Sequence, residues 1–340
     1  MSSLDDAAAL AAGGSAAVDR SNSPAVPRLW LGGVAASAAW LAAAALTALW
    51  SETEEWVRTG EFASLLAVVG GALAFAVPLL RLFGAVGERL RAAAPWLVVL
   101  ALGVIGWELV TAKLDLLPRP FFAPPQALLE VYLDEWPRLL ECTVASLQLL
   151  LLGYGIGAFV GFVTGVSIGW SRAVGYWVHP VLRLIGPLPA TAWLPIAFFA
   201  FPSSWSASVF LIALATGVPV TILTWSGVAG VNPAYYDIAR TLGASARFLV
   251  LKVAVPAAMP HVFVGLFMGL GASFAVLVVA EMMGVKAGLG WYLQWAQGWA
   301  AYANMYAALL VMALVCSSLV TLLFKARDRL LAWQKGLLKW

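Results

Sequence analysis

Apolar runs of 18 or more residues recur from residue 29 to residue 324, and a run of that length crosses a bilayer as a helix. Lipid offers the backbone no hydrogen bonds, so a chain built of such runs has little choice but a bundle of helices. Ten-residue alternating segments, the mark of a membrane β-barrel, are missing. Charged residues make up 11% of the chain, against about a quarter in a soluble domain. The reading is an all-α polytopic membrane protein with eight spans: 29–50, 62–83, 93–111, 140–170, 174–200, 206–228, 257–282 and 303–324. Residues 1–28, small and rich in Ala, Gly, Ser and Pro, read as a disordered tail. The first run is too long for a signal-peptide core and reads as a retained span.

An even number of spans puts both termini on one side. Of the 20 Lys and Arg, fourteen fall on the side of the termini and five on the other (Arg58, Lys113, Arg119, Arg138 and Lys286), with Arg183 inside a span. Positive charge accumulates on the cytoplasmic side. Both termini are therefore expected in the cytoplasm, and the acidic loop Ser51–Glu55 outside. The segment 113–138 holds Pro118, Pro120, Pro124 and Pro125 and cannot be a regular span. It reads as an interfacial loop leading into a short helix from Pro125 to about Glu135.

Two spans have unusual composition. In the fourth, Gly153, Gly157, Gly161, Gly165 and Gly169 recur every four residues, which opens a groove for another helix to approach closely. In the fifth, Pro180, Pro187, Pro189 and Pro195 require a kink or an unwound stretch, tolerated at membrane depth where the freed carbonyls are covered by protein or line a cavity.

Several chemistries are excluded. No GxxxxGK[ST] loop is present, so the chain is not expected to hydrolyse ATP itself. The two cysteines, Cys142 and Cys316, and two histidines, His179 and His261, form no metal-ligand spacing. No span carries the ladder of ionisable groups common in ion-coupled transporters. Glu281, ending the seventh span, is either a functional intramembrane carboxyl or a residue of the outer interface. After it, Gly288 and Gly290 permit a tight re-entry, and Trp291, Trp295 and Trp299 form a stripe that suits a gate helix or an aromatic anchor. Thr143, Gln148, Pro189, Ser273 and Glu281 are candidates for a translocation path, each equally compatible with contacts between helices.

The stretch 232–260 is a polar island between apolar runs. Asn232 suits an N-cap and Pro233 the first helical position. Tyr235, Ile238 and Leu242 share one face, and Gly243 can end the helix in a left-handed turn. Ser245 can cap a second short helix, expected to be interrupted by Pro256 and Pro260. A short amphipathic helix between spans suits docking to a soluble partner.

The same stretch resembles the cytoplasmic motif of permease subunits of ABC importers, E-A-A, three residues, Gly, nine residues, I-x-L-P. Here Asp237-Ile238-Ala239 is followed by Gly243, and Val253-Ala254-Val255-Pro256 completes it. ARTLGAS at 239–245, LIGPLPATAWLP at 184–195, Ala280–Met282 with Gly288–Gly290, and FAPP at 122–125 are similar to the subgroup importing sulfonates, taurine, nitrate and related anions. The resemblance runs from about Trp96 to the C-terminus. It departs from the pattern at Asp237 and Ile238, which replace Glu and Ala, and at Gly186, where many relatives carry Arg.

What the resemblance implies is a six-span type I ABC importer transmembrane core at 93–325, with two additional N-terminal spans at 29–92, a coupling helix at 232–246 and a cytoplasmic tail at 326–340. Tyr236, Asp237, Ala239, Arg240, Leu242, Gly243, Ala244 and Pro256 would couple to an ATPase; Gly288, Gly290 and Trp291 stay gate candidates on their own residue pattern, with an aromatic anchor as the alternative. The implied partners are a second permease copy as a homodimer, ABC ATPase subunits, a periplasmic or lipid-anchored substrate-binding protein and the bilayer, with no nucleic acid. No cofactor is expected on this chain, ATP and Mg belonging to the ATPase. The implied setting is a bacterial inner membrane, and the cargo a small solute, anionic in the subgroup. A stand-alone secondary transporter or channel is the alternative.

Overall fold

The structure, a computed structural model, describes residues 30–80, 84–118 and 120–333. The tail expected at 1–28 lies outside the described residues, as does the end of the chain from 334. Among the described residues the secondary structure is entirely helical. The chain divides into two units: one of residues 1–50 and 60–106, the other of residues 51–59 and 107–340.

The first unit holds α1 (Leu31–Leu49), α2 (Thr59–Leu79) and most of α3 (Gly84–Glu108). Small residues let these helices approach. The Ser37 hydroxyl donates to the Gly70 carbonyl at 2.9 Å, and the Trp40 indole N–H donates to the Leu97 carbonyl at 3.1 Å. In lipid such bonds and close packing, more than hydrophobic burial, hold helices together.

The second unit continues through a π-helical turn (Leu109–Lys113), α4 (Pro125–Asp134), α5 (Trp136–Trp170), α6 (Arg172–Ile185), a 3₁₀ turn (Ala190–Trp193), α7 (Leu194–Ala200) and α8 (Ser204–Ala229). Then follow α9 (Pro233–Thr241), α10 (Ala246–Phe248), a second π turn (Leu249–Ala254), α11 (Val255–Gly284), α12 (Leu289–Gly298) and α13 (Tyr302–Leu330). Its core is a seam of α5, α8 and α11, with Leu149, Leu150, Leu211, Ile212, Leu270 and Leu277 buried.

The glycine stripe of α5 forms this seam. A Cβ at Gly157 would lie 2.3 Å from the Ala213 carbonyl oxygen, and one at Gly165 would lie 2.6 Å from that of Thr221. Any side chain there would push the two backbones apart. Gly153 meets Val209 and Ile212, while Gly169 meets Trp225 and Val228. The numbers rise together, so α5 and α8 are parallel. The chain between them must therefore return to the end where α5 began. It does so through α6 and α7, which are bent by 87° about the Pro187–Pro189 region. Among the described residues seven helices are long and apolar enough to span, or eight where the bent pair is one span. The kink expected from the prolines of the fifth run falls in this pair. On the other face of α8, Gly265 meets Val220 and Gly269 meets Thr216, an antiparallel register, and the Thr216 and Ser273 hydroxyls are hydrogen-bonded within it.

One expectation is corrected. Pro256 and Pro260 do not interrupt a helix, since residues 246–284 form one continuous helical rod. Pro256 has no N–H to return to a carbonyl four residues back; the π turn before it takes up the mismatch, with the Val255 N–H donating five residues back to Val250.

Residues 51–59, though they join α1 to α2, belong to the second unit. The Thr53 N–H and hydroxyl both donate to the Ala112 carbonyl, at 3.2 and 3.1 Å. The Glu52 carboxylate accepts from the Gln126 side-chain amide at 2.8 Å and lies 3.6 Å from Lys113, which also faces Glu108 at 3.7 Å.

Candidate functional site

The polar island folds largely as its sequence dictates. The Asn232 side-chain oxygen accepts from the Ala234 N–H at 3.0 Å, with Pro233 in the first turn of α9. Gly243 has φ +82°, and its N–H donates to the Arg240 carbonyl at 2.9 Å while the Ala244 N–H reaches Ala239 at 3.0 Å. This bond pair closes a helix with a left-handed residue, which glycine adopts without steric cost. Ser245 then caps α10 from its hydroxyl, accepting from the Phe248 N–H at 3.4 Å.

Helix α9 turns two different faces. Tyr236 points inward, edge-on to Trp170 with ring centroids 6.0 Å apart, beside the buried Val228, Ala254 and Ala258. Burial there pushes its hydroxyl pKa up, with Arg240 opposing. The opposite face is bare: Tyr235 is 58% exposed, Ile238 60% and Leu242 82%. Ala239, Leu242, Gly243, Ala244 and Pro256, five of the expected coupling residues, line a cleft of about 730 Å³ there. Asp237 and Arg240 stand exposed and pair with each other at 3.3 Å. The cleft also takes Tyr235, Ile238, Phe248, Lys252 and Trp333, which the expected coupling set left out. The i, i+3, i+7 stripe was the available signal for the first two; Trp333, some 90 residues away in sequence, had none.

The second constellation gathers around Glu281, which is fully buried. One of its oxygens accepts from the Ser146 hydroxyl of α5 at 2.7 Å, and the other from the Gly290 N–H at 2.8 Å. Ser146 in turn accepts from the Leu289 N–H at 2.8 Å. Helix α12 begins at Leu289 behind Gly288, which has no side chain to cap it. Glu281 and Ser146 thus satisfy, from two other helices, N–H groups that a helix leaves open at its start. Gly288 sits at φ +130°, and a Cβ there would fall 2.3 Å from the Glu281 carboxylate. Gly288, Gly290 and Glu281 are brought together. Trp291, partly buried, packs against the cluster of Leu128, Leu139, Cys142 and Tyr292.

The other path candidates are scattered. Thr143 returns its hydroxyl to the Leu139 carbonyl of its own helix at 2.7 Å. Ser273 is buried between α8 and α11, donating to Gly269 at 2.7 Å. Gln148 and Pro189 are exposed. The site holds no cluster of His, Cys, Asp or Glu that could bind a metal among the described residues.

Comparison with known proteins places this arrangement. Residues 153–332 match the family described as binding-protein-dependent transport system inner membrane component. The bicarbonate transport system permease protein CmpB of Synechococcus elongatus is 34% identical over 195 residues, covering 56% of this chain and 66% of the relative. The chain therefore spans just under two thirds of that relative. The nitrate import permease protein NrtB of the same species is 27% identical over 262 residues, covering 72% of this chain and 89% of the relative. Among solved structures, an inward-facing MetNI methionine ABC transporter superposes with a TM-score of 0.45 at 17% identity, covering 58% of this chain and 96% of that one. Since the matched segment takes in more than half of the chain, including α8, α9 and Glu281, the protein belongs to the family of binding-protein-dependent transport system inner membrane components.

Proposed function

We propose that the protein is the membrane-spanning permease of an ATP-driven importer. A separate ATPase docks on the cytoplasmic face at α9, and a binding protein delivers the solute from outside. Two copies enclose the path. The observation that carries the reading is the bare face of α9. Tyr235, Ile238 and Leu242 stand exposed beside a cleft, on a helix fixed at both ends by caps and backed by Tyr236. An apolar helical face of this kind is the ordinary element of helix-in-groove docking. Gly243 lets the chain turn sharply out of that groove, and the Asp237–Arg240 pair forms a polar rim.

The rod running from Ala246 to Gly284 supports coupling, because movement imposed on α9 is passed to the α5–α8–α11 seam and on to α12. The cargo is a small oxoanion of the nitrate or bicarbonate kind, a reading supported by the names of the two cyanobacterial relatives. The test is reconstitution of the chain with its ATPase and binding protein in vesicles. Uptake and ATP hydrolysis are expected to depend on each other. Uptake by the chain alone would identify a stand-alone transporter or channel instead.

A further inference from the structure

Of the basic residues expected on the outer side, two are neutralised in the fold. Arg58 pairs with Asp134 at 2.7 Å, and Lys113 is buried between Glu52 and Glu108. Arg138, in the first turn of α5, is different. Its guanidinium carbon lies 4.0 Å from the ring centre of Trp295, 5.5 Å from that of Trp291 and 5.6 Å from that of Tyr292. All three rings belong to α12.

Acidic residues stand three positions before and after it, where ion pairs normally form on a helix. Glu135 is taken by another partner: its carboxylate accepts from the Tyr292 hydroxyl at 2.7 Å, and that hydroxyl accepts from the Asn304 amide at 2.7 Å. Glu141 is exposed and forms no ion pair with it. Among the described residues the guanidinium has aromatic neighbours and no hydrogen-bond or ion-pair partner.

The chemistry of such a group is specific. A guanidinium stacked on indole is weakly hydrated and keeps its N–H donors at its free edges, in a planar fork that matches two oxygens of an oxoanion. With 35 residues, α5 is about 52 Å long and exceeds the ~30 Å hydrocarbon layer, so its first turn can stand in the aqueous mouth. The rings are held firmly: Tyr292 is fully buried and α12 is capped by Glu281 and Ser146.

We propose that Arg138, stacked on the aromatic face of α12, is a receiving site for a planar oxoanion, two of whose oxygens accept from the guanidinium edge. The proposal rests on the importer reading and adds to it the residue that meets the cargo. The shared chemistry is an oxoanion group, which a dissolved ion or a lipid phosphate can supply.

Two measurements test it. The first is labelling of the full chain by phenylglyoxal, an arginine reagent, in maltoside micelles that contain no phosphate, with modification at Arg138 followed by peptide mass. Nitrate is expected to protect Arg138 while chloride at equal ionic strength does not; equal labelling in both would overturn the site. If Arg138 is shielded in phospholipid discs and nitrate gives no protection in micelles, the ligand is the lipid headgroup and the proposal fails. The second is uptake of labelled nitrate and bicarbonate by the reconstituted complex. Arg138→Gln should lower uptake per ATP hydrolysed at least about tenfold, since both charge-assisted hydrogen bonds are lost and each alone accounts for about that factor, and Arg138→Lys should recover part of it. Unchanged uptake in Arg138→Gln would sink the site. A loss that tracks weaker attachment of the binding protein would assign Arg138 to that partner. Protection by nitrate in a complex that transports no anion would leave the site standing and remove the proposed cargo.

Discussion

At Glu281 a single residue joins three helices, because its two oxygens are filled by donors from α5 and α12 while its backbone belongs to α11. An amide in its place can accept at only one of its two heteroatoms. Glu281→Gln is therefore expected to orphan one donor and cost about 1–3 kcal/mol, read as a lower unfolding temperature in detergent. Ser146→Ala removes both an acceptor and a donor and should cost at least as much. Gly288→Ala should be worse than either, because its φ of +130° and the carboxylate 2.3 Å from the added Cβ both oppose a side chain. An unfolding temperature unchanged in all three would show that the cap is incidental. In the sequence Glu281 stands out as a charge at the end of an apolar run, but its partners lie 135 and 9 residues away, and no local pattern reports them.

Two helical elements carry the functional reading. In α9 the local signals were sufficient: Asn232, Pro233 and Gly243 each act within four residues, so cap, start and end were legible. What was not legible is which apolar side would stay bare. Tyr236 goes inward because Trp170 receives it, leaving Ile238 and Leu242 outside. Leu242→Asp and Ile238→Asp should abolish co-purification of the ATPase while leaving helical content unchanged by circular dichroism. Retained co-purification would place the docking surface elsewhere. In α5 the four-residue glycine period announced a close contact, though not with which helix or in which direction. Gly157→Leu should prevent the seam from closing, since even a Cβ there falls 2.3 Å from the Ala213 carbonyl. Size-exclusion chromatography should then show aggregated material in place of a single species, and a monodisperse Gly157→Leu protein would refute the packing.

At the scale of the whole molecule, the charge asymmetry of the sequence carries the expectation of eight spans with both termini in the cytoplasm, and within the second unit the parallel register of α5 and α8 requires the chain between them to return. After replacement of Cys142 and Cys316, a cysteine at position 55 should react with an impermeant maleimide in intact cells, and one at position 247 only after the membrane is opened. The reverse result would invert the topology. The loop at 51–59 tests how the second unit is built. Lys113 has a side chain fully shielded from solvent between Glu52 and Glu108, and removing one member of such a buried group typically costs about 3–5 kcal/mol by leaving charge uncompensated. Lys113→Ala should therefore lower the unfolding temperature by more than Arg58→Ala, whose partner Asp134 is half exposed. By itself the sequence determined the features that depend on near neighbours or on the solvent: helices of spanning length from apolar run length, and caps and kink sites from residues a few positions apart. Only the tertiary structure decided that the glycine stripe meets α8 in parallel, that Pro256 is absorbed by a π turn, that Glu281 caps a helix it does not precede, and that Arg138 is left to three aromatic rings. Those outcomes depend on contacts between residues as far apart as Arg138 and Trp295, and a helix's own sequence states which face is small or polar without stating what will lie against it.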